Sequence, residues 1–451
     1  MSWLSTLNPV PGFPEYSGPY AVGSFDVEIP VSELESPSTP PESSVSTTSF
    51  RVFYPCEPGS QERAVRWIPS PQRGYVSAYA RFLGAGSALA QIFAYGIVVI
   101  APDHRDGSAP ISYVRATDTA EASTVDYQNI PHKPSREVFE ARDAQLRIRL
   151  WELGLIHDAV LKMDAGAEVK NLDPNKSRDA KKETNTLLSM FKGKLDVQRP
   201  GSISWAGHSF GAATVHQLVK SVFYRPDSKI EGYTPLFTPS PTSPIVQQIT
   251  SSTPVILLDI WCLPLTSPNT KWLADKPLPC YAPEGPGGTA LLAVLSEAFV
   301  KWTDHFQETK RRLSEDPSSN APEHTKPAPR FFYPLGSAHL SQSDFGILFR
   351  WVVKKVLKTD EPERYLKLNV RAILQVLREN GTEVADTSRI DMEEAGASDE
   401  NQGKAGDWKI LETNGAVRGW VALSTSLDQP SDGGAKGEPL TQVTKDEGVE
   451  L

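Results

Sequence analysis

The stretch SWAGHSFGAATV, residues 204–215, sets a serine between two glycines, after an apolar segment and before a run of small helix formers. GHSFG fits the G-x-S-x-G pattern, in which a strand turns sharply into a helix and lifts a serine Oγ clear of the sheet. Gly207 and Gly211 supply the small neighbours of such an elbow, and Ser209 is the candidate nucleophile. A serine hydroxyl attacks poorly until a base takes its proton, and the base needs a carboxylate to fix its tautomer. On this kind of turn the partners follow in the order Ser, then Asp or Glu, then His. Asp259 closes the apolar run PVILL, which puts it at the carboxyl end of a buried strand beside the elbow. A carboxylate there is costly unless it serves a donor.

Eight histidines are available for the base. His132 and His157 precede the serine, His208 lies inside the elbow, and His216 falls in the helix after it. His324 lies in a Pro-rich loop, and His305 sits beside Asp304 on an amphipathic segment, where it is expected to be solvated. His339, in GSAHLSQSD between a strand and a capped helix, has the right order and setting. His104, in IAPDHRDGSAP, is flanked by Asp103, Arg105 and Asp106, which reads as an ion-paired loop bracing the rim of the site. Acyl transfer also needs N–H donors aimed at the developing oxyanion. The backbone of Phe210, next after the nucleophile, offers one.

The elements that must hold these residues alternate in type. FDVEI (25–29) and SFRVFY (49–54) show period-two alternation and predict antiparallel strands at a sheet edge. GIVVIA (96–101), SISWA (202–206) and PVILLDIW (254–261), with RFFYPL (330–335) as a weaker example, read as parallel strands buried on both faces. Leu146, Leu150, Leu153, Ile156 and Val160 place one apolar stripe on a long helix. Leu291, Leu295, Phe299 and Trp302 predict another, and FGILFRWVVKKVL a third after a cap at Ser341–Asp344. Strands alternating with helices imply an α/β fold with a mostly parallel sheet. Residues 224–253, rich in Pro, Ser and Thr, read as an ordered lid or a loose insert. From 383 to 451 the chain turns acidic and is expected to be mostly disordered, leaving 1–382 as the folded domain.

Composition narrows the class. The 451 residues are 39% hydrophobic and carry a net charge of −9 with scattered Lys and Arg. That excludes wholesale disorder and leaves no basic footprint for nucleic acid. Cys56, Cys262 and Cys280 make neither a disulfide framework nor a zinc site. The N-terminus lacks the pattern of a secretory signal, and SALAQIFAYGIVVIAP (87–102) is too short to span a bilayer. A cytoplasmic, monomeric enzyme without metal or other cofactor is the expectation.

GHSFGAATV, LLDIWCLPL, APDHRDGSA and the WIP at 67–69 together resemble the platelet-activating factor acetylhydrolase family, in its monomeric serine-lipase-like and fungal form, from about residue 10 to about 380. The resemblance implies an α/β-hydrolase fold, with Ser209 as nucleophile, Asp259 as orienting acid and His339 as base. It also implies calcium-independent hydrolysis of the short sn-2 acyl ester of 1-alkyl-2-acetyl-glycerophosphocholine and similar phospholipids. The phospholipid is then the partner, and transient contact with a membrane surface follows from its amphiphilic character. One departure stands out. The family carries a second oxyanion donor on a stretch like F-S-H-G-L-G-G, and no His-Gly pair exists in this sequence. The chain passes from SALAQ to IFAYG without the expected strand and loop, and Gly84-Ala85-Gly86 is a poor substitute. The expectation is a version shortened by exon skipping or misprediction, missing one central strand between GIVVI and SISWA. A general short-chain carboxylesterase and a non-catalytic lipid-binding relative are the competing readings.

Overall fold

In the computed structural model, which describes residues 16–57, 92, 94–173, 188–225, 230–319, 325–343, 347, 361–394, 410–412 and 417–427, the two alternating segments pair as expected. Strands β1 (Ala21–Pro30) and β2 (Thr47–Cys56) run antiparallel, with Val27 opposite Phe50 and Phe25 opposite Val52. β3 (Val99–Pro102) adds to β2, also antiparallel. A two-stranded hairpin, β4 (Ile111–Val114) with β5 (Ser123–Asp126), follows the DHRD loop.

The second sheet carries the site. β6 (Trp205–His208), β7 (Val255–Leu258), β8 (Leu291–Val294) and β9 (Arg330–Pro334) lie side by side and parallel. β10 (Trp420–Ala422) closes the edge antiparallel to β9. Helix α1 (Arg136–Ala165) precedes β6, α2 (Phe210–Phe223) follows it directly, and the short α3 (Pro244–Gln248) comes before β7. α4 (Glu297–Lys301) and α5 (Thr303–Leu313) follow β8, and α6 (Pro362–Glu379) and α7 (Arg389–Glu394) come after β9.

Alternation along β7 and β8 sorts the core into two layers. Val255, Leu257, Leu291 and Ala293 pack with Leu218 and Val219 of α2 and Leu146 and Leu150 of α1. Ile256, Leu258, Leu292 and Val294 face Ile373, Leu374 and Leu377 of α6. The 30-residue α1 also joins the two sheets, because Trp151, Leu155 and Ile156 on its other side pack on Val27, Ile29 and Phe50. Buried aliphatic side chains contribute about 1.5–3 kcal/mol each, so this double anchorage fixes α1 firmly.

Three expectations change. β3 is antiparallel to its neighbour and half-buried along its whole length, not a parallel strand covered on both faces. A continuous apolar run does not reveal its partner's direction. Among the described residues no strand pairs with the far edge of β3, and β6 is likewise unpaired on the side away from β7. Leu291 and its neighbours form β8, and the helix begins only after Ser296, whose Oγ accepts the Phe299 N–H (3.4 Å). Part of the acidic tail is built into the fold. Trp420 stacks on Phe332 (5.2 Å between ring centroids), and Asp391 accepts the Tyr95 hydroxyl (2.6 Å). The 224–253 stretch also packs, through Leu236, Phe237, Ile245 and Ile249, where it is described. The WIP segment, Gly84–Gly86, His324 and most of FGILFRWVVKKVL lie outside the described residues. Among the described residues, no helix is long and apolar enough to cross a membrane.

Candidate active site

β6 ends at His208 and α2 starts at Phe210, so Ser209 alone makes the turn. Its φ of 56° lies in the left-handed region that a side-chain-bearing residue adopts at a cost of about 1–3 kcal/mol. Backbone bonds hold it there. The Ser209 N–H donates to the Leu258 carbonyl (2.9 Å), and the Ser209 carbonyl accepts from Ala212 and Ala213 (3.1 and 3.2 Å). Gly207 is required for space, since a Cβ there would come within 2.3 Å of the Gly211 backbone. Gly211 differs from the sequence reading. A Cβ at 211 would meet nothing within 4 Å among the described residues, so the second glycine has no steric reason there.

Asp259 follows β7 directly and is fully buried, with φ at 44°. Its N–H donates to the Val294 carbonyl (2.8 Å), which continues the β7–β8 ladder past the strand end and aims the side chain toward the elbow. One carboxylate oxygen, Oδ1, accepts the Ser296 N–H at 2.5 Å. The other, Oδ2, lies 2.9 Å from His339 Nδ1. His339 Nε2 in turn lies 3.0 Å from Ser209 Oγ. The structure therefore brings together the three residues separated by 50 and 80 positions in sequence, within hydrogen-bond distance at each link.

The loop bearing His339 leaves β9 and is tied to the start of α4. Gly336 N–H donates to Glu297 Oε2 (2.5 Å), Glu297 N–H to Ser337 Oγ (3.0 Å), and Ala298 N–H to the Ser337 carbonyl (3.3 Å). The His339 ring is stacked between Phe299 and His208, each 4.6 Å away by centroid. Burial first, and the nearby His339 second, push His208 down to about 3, so the ring against the base stays neutral. Asp259, His339 and His208 are also the one group of metal-ligand types that converges among the described residues. Two of the three are already committed to each other, and the set carries one carboxylate, so it fits a proton relay better than a cation.

Phe210 opens α2, where an N–H has no intrahelical acceptor. Its half-buried ring packs edge-on against Trp261 (5.8 Å) and lies beneath the Arg149 guanidinium (4.1 Å). Arg149 is held by Asp106 (2.5 Å) and by Ser108 Oγ (2.6 Å). Burial would raise the Asp106 pKa, but Arg149 beside it keeps the carboxyl below its usual range. In the same loop, His104 Nδ1 meets Glu152 (2.7 Å), and the Arg105 N–H donates to that carboxylate (3.0 Å). The loop thus braces α1 and, through Arg149, the first turn of α2.

His305 is not solvated as its sequence setting suggests. It is buried, and its Nε2 accepts the Cys262 N–H (3.1 Å), which requires that nitrogen to carry no proton. His157 is buried as well. Burial pushes both rings down to about 4, against about 6.5 in an unfolded chain. As pH falls through about 6.5 the unfolded state binds these protons first. Stability is therefore full above that pH and declines until about 4, by roughly 1 kcal/mol per pH unit for each ring. Urea unfolding at pH 7, 6 and 5 should show this decline, and His157→Gln should flatten it by one proton's worth.

Sequence reasoning missed Arg142, Arg149, Ser296 and Phe299. Arg142 and Arg149 share the three-and-four spacing of Leu146 and Leu153, so the stripe itself marked them as inward-facing. Phe299 lay in the apolar stripe read from Leu291 to Trp302, but its place against His339 was not legible there, and Ser296 carried no signal, because its role depends on β8 lying next to β7.

Over residues 85–401 the chain matches the family described as platelet-activating factor acetylhydrolase, isoform II. It is 26% identical over 444 residues to a Schizosaccharomyces pombe protein named "Putative phospholipase A2", covering 82% of this chain and 92% of that one. It is 26% identical over 253 residues to the platelet-activating factor acetylhydrolase of Cavia porcellus, covering 46% of this chain and 52% of that one. The Canis lupus familiaris acetylhydrolase is 30% identical over 127 residues, 28% of this chain and 26% of that one. With an elbow serine, a strand-end aspartate and a loop histidine in contact, and a family match across most of its length, the chain belongs to the platelet-activating factor acetylhydrolase, isoform II, family.

Proposed function

We propose that this chain is a serine esterase that hydrolyses the short sn-2 acyl ester of platelet-activating factor and related phospholipids without calcium. The observation that carries the reading is the continuous relay from Asp259 through His339 to Ser209 in a member of this family. Asp259 holds the proton on Nδ1, leaving Nε2 free to accept the Ser209 proton as Oγ attacks the acyl carbon. The Phe210 N–H, at the positive end of α2, stabilises the oxyanion. His339 then returns its proton to the departing glycerol oxygen, and water repeats the cycle on the acyl-enzyme. The base is an imidazole, so this chemistry needs no metal-activated water.

The architecture is read as an α/β-hydrolase fold with one central strand fewer. The sequence holds no His-Gly pair to carry the second oxyanion donor, which favours a slowed enzyme as the second reading. Loss of one oxyanion donor typically lowers turnover by about two to three powers of ten. The test is a substrate panel with a calcium chelator present: a 2-acetyl phospholipid, a long-chain phospholipid and p-nitrophenyl acetate. Chelator-insensitive turnover that favours the 2-acetyl phospholipid is expected. Turnover of p-nitrophenyl acetate alone would point to a general carboxylesterase, and no turnover of any ester to a lipid-binding relative.

A further inference from the structure

We propose that Arg142, with Trp261 and Phe210, forms the subsite for the phosphate of the substrate, next to the elbow. Arg142 is 5% exposed, yet among the described residues it has no carboxylate partner. Its Nη1 donates to Gln145 Oε1 (2.8 Å) and its Nη2 to the Ile130 carbonyl (2.9 Å), both neutral acceptors, and its Nε is buried with no acceptor. The guanidinium lies 4.9 Å from the Trp261 ring centroid and 5.8 Å from that of Phe210. These two half-buried rings belong to the residue after the nucleophile and the second residue after Asp259.

The charge balance points the same way. Two guanidiniums, Arg142 and Arg149, face this corner, and one buried carboxylate, Asp106, is engaged by Arg149 and Ser108. His132 packs on Trp261 (5.1 Å), and burial followed by Arg142 itself holds its pKa below the usual value, so it adds no charge near neutrality. Burial lowers the Arg142 pKa, with Tyr127 and then Asp106 acting against it and Arg149 adding to it. A buried cation with no carboxylate in hydrogen-bond contact is costly, and that cost is relieved when an anion occupies the site. In a glycerophospholipid the phosphate is only a few bonds from the sn-2 ester oxygen. A guanidinium beside the ring of Phe210, the residue after Ser209, suits that separation, and its spare N–H groups suit a phosphate's oxygens.

This assignment rests on the phospholipid reading, and its test separates the two. Arg142→Gln and Arg142→Lys are compared with wild type in the full chain. Calorimetry measures binding of a short-chain 1-alkyl-glycerophosphocholine and of the 1-alkyl-glycerol with the same chain. Arg142→Gln should weaken the phosphate-bearing ligand at least about tenfold more than the neutral one, and Arg142→Lys should recover part of the difference. The same ratio should appear in KM for a 2-acetyl phospholipid against p-nitrophenyl acetate. Equal losses on both ligands in both variants, or no loss on either, would overturn the subsite. If wild type binds the phosphate-bearing ligand selectively through Arg142 but cleaves no phospholipid, the subsite stands and the proposed reaction falls.

Discussion

Replacing Ser209 by alanine is expected to lower ester hydrolysis by about five to six powers of ten while leaving the fold in place. Loss of a triad nucleophile has an effect of that size in serine hydrolases, because attack, acyl-enzyme formation and deacylation all pass through the same oxygen. The fold should survive because, among the described residues, the one side-chain hydrogen bond of Ser209 is to His339. The elbow is held by main-chain bonds that alanine keeps, and alanine at φ 56° bears the same strain as serine. Turnover of a 2-acetyl phospholipid and the urea midpoint, measured together, check both halves of the expectation.

Asp259→Asn should lower turnover by about four powers of ten with little change in stability. The amide can keep its oxygen on the Ser296 N–H, so that buried donor remains satisfied. Its NH₂ group then faces His339 Nδ1 and donates to it, which forces the ring proton onto Nε2. An Nε2 carrying a proton cannot accept one from Ser209. Asp259→Ala differs in a measurable way. It also strands the Ser296 N–H in a fully buried position, adding about 1–3 kcal/mol of destabilisation. A stability loss equal in both variants would mean that the aspartate serves the fold rather than the tautomer.

Much of the site can be read from sequence because its parts sit at element boundaries, where local chemistry is distinctive. Ser209 lies between an apolar run and a small-residue helix, and Asp259 ends a run of four aliphatic residues that becomes the fully buried β7. His339 is legible from its order after Asp259 and from its loop between a strand and a capped helix. What sequence did not disclose depends on neighbours distant along the chain. The run at Leu291–Val294 is short, apolar and compatible with either helix or strand, and only pairing between β7 and β9 decides it. The polar setting of His305 hides its burial against Phe299 and Trp302. The apolar patch near Trp420 is too short to outweigh its acidic surroundings by composition, yet three of its residues extend the sheet. The strand and loop expected between GIVVI and SISWA fall in residues 58–91, outside the described residues.

Reaction of the purified chain with a fluorophosphonate, followed by peptide mass spectrometry, tests the relay most directly. An activated serine attacks phosphorus as it attacks an acyl carbon, whereas an ordinary surface serine does not. The expected result is one adduct, on Ser209, slowed by a 2-acetyl phospholipid and lost in Ser209→Ala and largely in Asp259→Asn. An unlabelled Ser209 in folded protein, or labelling that persists undiminished in Asp259→Asn, would contradict a serine activated through His339 and Asp259.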